Sequence, residues 1–197
     1  MQKLYLYSRF ERFWHWSQAV LVILLILSGF EIHGTWSIWG FEKAHDLHVI
    51  SAWGLTTLVA YAIFWHFTTG EWRQYLPTSE KLKEMATYYT SGIFSGAPHP
   101  FEKSREKKLN PLQRWAYFML KVILFPVQFI SGFLLLYYND WKTLGIRLDL
   151  EPLALLHTLG SFAFLAFLII HVYLTTTGRT FFSHIKAMIT GWESTGG

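Results

Sequence analysis

The chain contains no cysteine. Within this chain, that absence excludes disulfides, covalent c-type haem attachment and cysteine-ligated iron-sulfur clusters. Charge is also scarce. Only 15% of the 197 residues are Asp, Glu, Lys or Arg, against 52% hydrophobic and 19% aromatic. Soluble domains carry about 25% charged residues, so this composition is that of a membrane protein. Four apolar stretches, Phe13 to Phe30, Val49 to Phe67, Trp115 to Tyr138 and Leu153 to Leu174, hold one Asp, Glu, Lys or Arg between them, Lys121. Each has about the length a helix needs to cross roughly 30 Å of hydrocarbon. Basic residues precede the first stretch as in a secretory signal. The Leu27-Ser-Gly-Phe-Glu31 segment offers no small-x-small cleavage site, however, so the stretch is read as a retained helix.

These stretches predict an all-α fold, an integral membrane four-helix bundle forming a single domain over 1–197. Helices are expected at about 13–31, 45–67, 111–138 and 152–177, with a polar loop over 68–110. Pro111 and Pro152 fall near first-turn positions, where a missing N–H costs little, whereas Pro126 lies inside the third helix and should kink it. In the loop, TSEKLKEMATYYTSGIFSG opens with a Ser or Thr cap before Glu80 and predicts an interfacial helix. The later EKSREKK run reads as a solvated charge cluster. Trp and Tyr gather near the helix ends, as in the aromatic belts of membrane interfaces.

The sequence pI of about 9.2 invites a nucleic-acid reading, yet the basic residues follow the loops and form no recognition motif. No nucleic-acid partner is expected. If the four helices alternate, Lys3, Arg9, Arg12, Arg73, Lys81, Lys83, Lys103, Arg105, Lys107, Lys108, Arg114, Arg179 and Lys186 share one side. Only Lys43, Lys142 and Arg147 fall on the other. Thirteen against three predicts both termini and the long loop on the cytoplasmic side of a membrane whose lipid the chain contacts, with the two short loops outside.

Histidines supply the chemistry. His157 and His171 stand fourteen residues apart in LALLHTLGSFAFLAFLIIHVYL. Fourteen helical steps bring the second side chain within roughly 40° of the first and separate the two by about 21 Å of rise. They share a face at two depths, and an unpartnered imidazole there would be costly. His15 in RFWHWSQAV matches the cytoplasmic depth of His171, and His48 in AHDLHVISAWG matches the outer depth of His157. Four such rings read as two bis-histidine haems stacked across the membrane, an arrangement with no open coordination position that favours electron transfer. A haem-free zinc or copper site is the alternative use of such pairs. His45 competes with His48 as the second-helix ligand. A faint repeat accompanies them: Ser28-Gly-Phe30 recurs as Ser131-Gly-Phe133, and Leu47-His48 as Leu156-His157, so that helices 1–2 and 3–4 read as related halves.

With the RFxHW opening of helix 1, Leu-His at the start of helix 2 and HTLG(x)10HVY followed by SHIKAMITGW, the chain resembles a family. It is similar to the di-haem cytochrome b subunits of respiratory complexes, the superfamily of formate dehydrogenase gamma subunits, hydrogenase and thiosulfate reductase b-type cytochromes and prokaryotic cytochrome b561. The resemblance covers all four helices and implies a place in the cytoplasmic (inner) membrane of a bacterium or archaeon. It implies two haem b groups enclosed by the bundle, with His15 and His171 on the inner iron and His48 and His157 on the outer. It also implies a quinone or quinol partner and a redox subunit docked on the periplasmic side, bearing iron-sulfur, molybdenum, nickel-iron or c-type cytochrome centres. A self-sufficient quinone oxidoreductase, like the superoxide-oxidising members of the b561 group, is the other function the resemblance offers.

In the formate dehydrogenase branch an Asn-x-Gly-Gln stretch entering helix 3 approaches the quinone. Here Asn110-Pro-Leu-Gln113 matches at Asn110 and Gln113 and departs at Leu112. The same Asn-Pro pair also reads as an ordinary helix start. Arg9 and Arg12, within two turns of His15, read as haem-propionate partners or as topogenic charges. His66 is either an interfacial residue or a proton carrier for quinone. Lys121 snorkels, pairs with a propionate or meets a lipid phosphate. His33, His99 and His184 are expected at the surface.

Overall fold

The structure, a computed structural model, describes residues 2–178 and 180–195. Arg179, counted above among the cytoplasmic charges, lies outside the described residues, as do Met1, Gly196 and Gly197. The elements are β1 (Gln2–Tyr5), α1 (Arg9–Ile32), α2 (Phe41–Thr69), α3 (Leu82–Thr87), α4 (Pro111–Met119), α5 (Phe125–Leu136), α6 (Trp141–Leu144), α7 (Leu150–Thr175), α8 (Ser183–Thr190) and β2 (Trp192–Thr195). Four segments are long and apolar enough to cross a membrane, Arg9–Ile32, Phe41–Thr69, Pro111–Leu136 and Leu150–Thr175. Each predicted helix is therefore present, its ends within four residues of the expectation.

The third span is interrupted. A π turn over Leu120–Leu124 joins α4 to α5, and Pro126 sits in the first turn of α5. The kink expected at Pro126 takes this form because a widened turn just before the proline accommodates its missing N–H and its ring. Lys121 lies in that turn.

The chain divides into two compact units. The first comprises Met1–Trp14, Ala62–Leu120 and Leu174–Gly197. In it β1 pairs antiparallel with β2, in the register Lys3 with Ser194 and Tyr5 with Trp192, a two-stranded element the helical reading did not anticipate. Ser8 and Glu11 form a reciprocal capping box at the start of α1, Ser8 N–H to Oε2 at 2.7 Å and Glu11 N–H to Oγ at 3.3 Å. The other carboxylate oxygen of Glu11 accepts from Lys108 Nζ at 2.8 Å, and Glu71 accepts from the same ammonium at 2.9 Å. Burial pulls the Lys108 ammonium down, but the bonds and charges of Glu11 and Glu71 outweigh it and hold its pKa above the ordinary lysine value. Lys103 makes two 3.0 Å contacts with the Glu193 carboxylate, beside His184. Burial alone would raise the Glu193 carboxyl; the His184 bond and the Lys103 charge overcome that and leave it below its usual range. The EKSREKK run is thus no uniformly solvated cluster, since Lys103 and Lys108 are its anchors, and His184 is half-buried.

The loop helix α3 is shorter than its sequence suggested and buries Met85 completely. It is not capped by Ser or Thr. Its N-cap is Lys81, with φ 55°, while the Thr78 hydroxyl accepts from Glu80 N–H one turn earlier. Gly191 closes α8 at φ 88°, and its carbonyl accepts from Leu6 N–H at 2.8 Å and Tyr7 N–H at 3.3 Å.

The second unit comprises His15–Tyr61 and Lys121–Tyr173. Its contacts include Phe30 on Phe162, Trp53 on Phe133 and Phe125 on Phe164, with ring centres 5.3, 4.9 and 5.1 Å apart. Small residues Ser28, Ser51, Ser131 and Gly160 are buried between helices, while large ones such as Ile50, Ile130 and Ile169 face outward. Between α1 and α2 the buried Glu31 carboxylate collects three N–H groups, from Ile38, Trp39 and Gly40, at 2.9, 2.7 and 2.7 Å. This anion at the N-terminus of α2 fixes where that helix starts.

Gly191 generates a test. A Cβ there would stand 2.7 Å from the Tyr7 carbonyl oxygen, in a left-handed backbone that side chains rarely adopt. Gly191→Ala should cost about 2 kcal/mol or more, read as a lowered midpoint in thermal melting.

Candidate functional site

All four singled-out histidines lie in the second unit, and they meet in two pairs. The rings of His15 and His171 have centres 6.0 Å apart with planes at 51°. Those of His48 and His157 are 6.3 Å apart at 71°. His45 does not join them: it is half-exposed, stacks on Phe41 and points Nδ1 at Asp46, 3.6 Å away.

The second pair shows how a polar ring is held inside an apolar helix bundle. Ser28 Oγ lies 3.0 Å from His48 Nδ1, and its own proton goes to the Leu24 carbonyl at 2.6 Å. The hydroxyl must then accept from Nδ1–H, which leaves Nε2 of His48 unprotonated, with its lone pair available to a metal. Ser131 repeats the arrangement, 2.9 Å from His157 Nδ1 and 2.6 Å from the Val127 carbonyl. Glycine follows each serine for a steric reason. A Cβ at Gly29 would approach His48 Cε1 to 3.3 Å, and one at Gly132 would approach His157 Cε1 to 3.0 Å. The SGF and Leu-His repeats are therefore one recurring device, in which serine orients the ring, glycine admits it and histidine presents Nε2.

Sequence reasoning singled out the histidines and noticed the repeat, but it assigned Ser28 and Ser131 no role and overlooked Gln128. The Gln128 amide donates to His157 Nε2 at 3.2 Å and to Ser161 Oγ at 3.0 Å, while its Oε1 is buried without a partner. The signal was a carboxamide one helical turn before Ser131 in an otherwise apolar stretch. The first pair departs from the repeat. His15 Nδ1 is buried with no hydrogen-bond partner, Trp16 stands edge-on to the His15 ring at 5.1 Å, and Phe167 stacks parallel on His171 at 5.8 Å.

Chemically, the spacing suits a shared metal. An ion about 2 Å from each of two imidazole nitrogens, with roughly 1 Å from each nitrogen to its ring centre, sets the centres about 6 Å apart. Among the described residues no group of three or more His, Asp or Glu side chains could hold an ion. Two axial donors without a third suit an iron that brings four equatorial nitrogens of its own, as haem does, better than a tetrahedral zinc. The residues present fit haem.

Asn110, Gln113, Arg9, Arg12 and His66 belong to the first unit. Asn110 is committed to α4: Oδ1 accepts from Gln113 N–H at 2.9 Å, Asn110 N–H donates to Gln113 Oε1 at 3.0 Å, and Nδ2 donates to the Tyr89 hydroxyl at 3.2 Å. The expected helix start is thus a full capping box. Arg12 Nη1 donates to the Ile189 carbonyl at 2.6 Å in the last turn of α8, and Arg9 is exposed. His66 is buried within the protein; Nδ1 donates to the Ala62 carbonyl at 2.6 Å and Nε2 faces the Tyr75 hydroxyl at 3.4 Å. His33 is exposed and contacts Thr158, and His99 is exposed against Phe101.

Comparison with known proteins places this geometry. The family model of prokaryotic cytochrome b561 matches residues 6–191. A protein of Escherichia coli (strain K12) named cytochrome YdhU is 31% identical over 202 aligned positions, covering 98% of this chain and 75% of that protein. A Rhodobacter capsulatus protein named as a Ni/Fe-hydrogenase B-type cytochrome subunit is 26% identical, covering 86% of this chain and 72% of that one. No solved structure gives a significant match.

The serine contacts are testable. Ser131→Ala leaves the buried Nδ1–H of His157 without an acceptor and should cost about 1–3 kcal/mol in thermal stability, with Ser28→Ala doing the same at His48. A wild-type melting midpoint in both variants would show that the hydroxyls do not orient the rings.

Proposed function

The chain belongs to the prokaryotic cytochrome b561 family, a family of membrane b-type cytochromes, and from that premise we propose that it carries electrons across the membrane through two haem b groups. His15 and His171 hold one group and His48 and His157 the other. The observation that carries this reading is the pair of imidazole–imidazole separations, 6.0 and 6.3 Å, with no third His, Asp or Glu completing a metal site among the described residues. When bound, each bis-histidine haem supplies one-electron redox chemistry with no open position for oxygen.

The chain's own residues do the rest. Ser28 and Ser131 keep His48 and His157 in the tautomer whose Nε2 can ligate iron, so no proton has to leave the ring on binding. His157 and His171, fourteen residues apart on α7, distribute the two sites along one helix, about 21 Å by rise. Gln128 meets the Nε2 lone pair of His157 through its amide and can turn to Ser161 when that lone pair is used. Arg9 and Arg12 are propionate partners in this reading, Arg9 being the more accessible because Arg12 already holds the α8 carbonyl.

Electrons pass in this reading between the quinone pool and a redox subunit docked on the periplasmic side, both termini being cytoplasmic. The charge asymmetry of the loops supports the orientation, and the relative named as a hydrogenase cytochrome subunit supports a partner enzyme. For the quinone contact, the capping box changes the emphasis within Asn110-Pro-Leu-Gln113. Asn110 is used up by Gln113 and Tyr89, so Gln113 Nε2 is the donor left for a quinone carbonyl.

Two experiments test this reading. His157→Ala and His15→Ala should each lower haem content toward about half, measured as haem per protein in the purified variants, because a single imidazole gives only one axial bond; two low-spin haems retained in either variant would overturn the pairing. Gln113→Leu should slow electron exchange with a quinone analogue at least about ten-fold, while Asn110→Ser, which keeps an N-cap oxygen, leaves it near wild type. Equal rates in wild type and Gln113→Leu would remove this stretch from the quinone contact.

A further inference from the structure

The first unit holds a polar cavity of about 370 Å³, and none of its lining residues belongs to a histidine pair. Its walls include Lys81, Lys107 and Arg114, with Glu80 and Glu102 the facing carboxylates. Lys107 and Glu80 offset one another at 3.6 Å, and Glu102 is exposed to solvent. The other two cations have backbone partners only. Lys81 Nζ donates to the Pro100 carbonyl at 3.2 Å, and Arg114 Nη2 to the Arg73 carbonyl at 3.4 Å. Arg114 Nε is buried with no acceptor among the described residues. Lys81 is also the one described residue other than glycine with a positive φ, 55°. A backbone-strained lysine and an arginine with an unsatisfied donor line the same cavity.

Three cations against two carboxylates leave room for about one negative charge, which is the charge of a phosphodiester rather than of a free phosphate dianion. The setting points to lipid. Pro111 and Arg114 belong to the first turn of the span Pro111–Leu136, so the cavity opens where that helix meets a headgroup layer. Trp115, exposed beside it, donates its indole N–H to the Thr78 carbonyl at 3.1 Å and ties one cavity wall to the helix. Phe101 and Leu109 add apolar lining.

We propose that this cavity is a binding site for the phosphodiester headgroup of a single anionic phospholipid, recognised by Arg114 and Lys81. Binding adds a charged acceptor for the Arg114 guanidinium and the Lys81 ammonium, whose hydrogen bonds here go to backbone carbonyls, and gives the Lys81 backbone strain a purpose. The site stands independently of the haem and quinone assignments.

The test uses delipidated, haem-loaded protein in detergent, titrated with dioleoylphosphatidylglycerol or dioleoylphosphatidylcholine and followed by native mass spectrometry. One phosphatidylglycerol should be retained per chain in preference to phosphatidylcholine. Arg114→Gln and Lys81→Gly should each weaken that binding about five-fold, the effect of one cation at a membrane surface, with the haem spectrum unchanged. Lys81→Gly keeps the test decisive where Arg114→Gln fails to fold, because glycine accepts the left-handed backbone and should melt no lower than wild type. Equal retention of the two lipids, or wild-type phosphatidylglycerol binding by Lys81→Gly, overturns the proposal. Displacement of the lipid by millimolar inorganic phosphate would assign the cavity to free phosphate and overturn it as a lipid site.

Discussion

An imidazole in an apolar helix has two nitrogens and no water to satisfy either, and the second unit is arranged around that constraint. One nitrogen of His48 and of His157 is answered by a serine on the neighbouring helix. The serine can do so only because its proton is already given to its own helix backbone one turn earlier, which converts a hydroxyl of two roles into an acceptor of one. Each ring then needs a gap beside it, which the next residue, glycine, provides. The start of α2, and with it the position of His48, is held in turn by Glu31, whose carboxylate gathers three amides ahead of the helix. His15 has no such serine, so the two ring pairs of one chain sit in different polar surroundings.

What was legible in the sequence follows the range of the forces involved. Span number and approximate ends were readable because hydrocarbon thickness imposes a length and bars charge, and both are local properties of the chain. The four histidines were readable because α7 carries two of them at a spacing that returns to the same face. Pro126 announced a disturbance but not its kind: whether a helix kinks or widens into a π turn depends on packing around Leu120–Leu124 that no local pattern records. The role of Lys108 was hidden for a similar reason. In the sequence it is one of several lysines in a basic run, and only the approach of Glu11, 97 residues away, makes it a buried ion-pair centre. The β1–β2 pair was missed because four-residue strands carry almost no periodic signal, and the Ser or Thr cap was misplaced because Lys81 takes a backbone conformation that its side chain does not advertise. Ser28, Ser131 and Asn110 were visible as motif members, yet what each one bonds to is a matter of three-dimensional neighbours.

The union of β1 with β2 has a consequence for how such a chain is made. Tyr5 pairs with Trp192, Arg12 bonds Ile189 across 177 positions and Leu6 bonds Gly191, so residues made before the first span wait for residues made after the fourth. Contacts of such sequence separation carry the largest loop-closure entropy and form late. Inserted helices can meet one another while the ribosome is still at work. The strand pair cannot close until translation has passed Thr195, so the first unit matures only after all four spans have been made, and residues 2–5 have no partner strand while those spans are inserted.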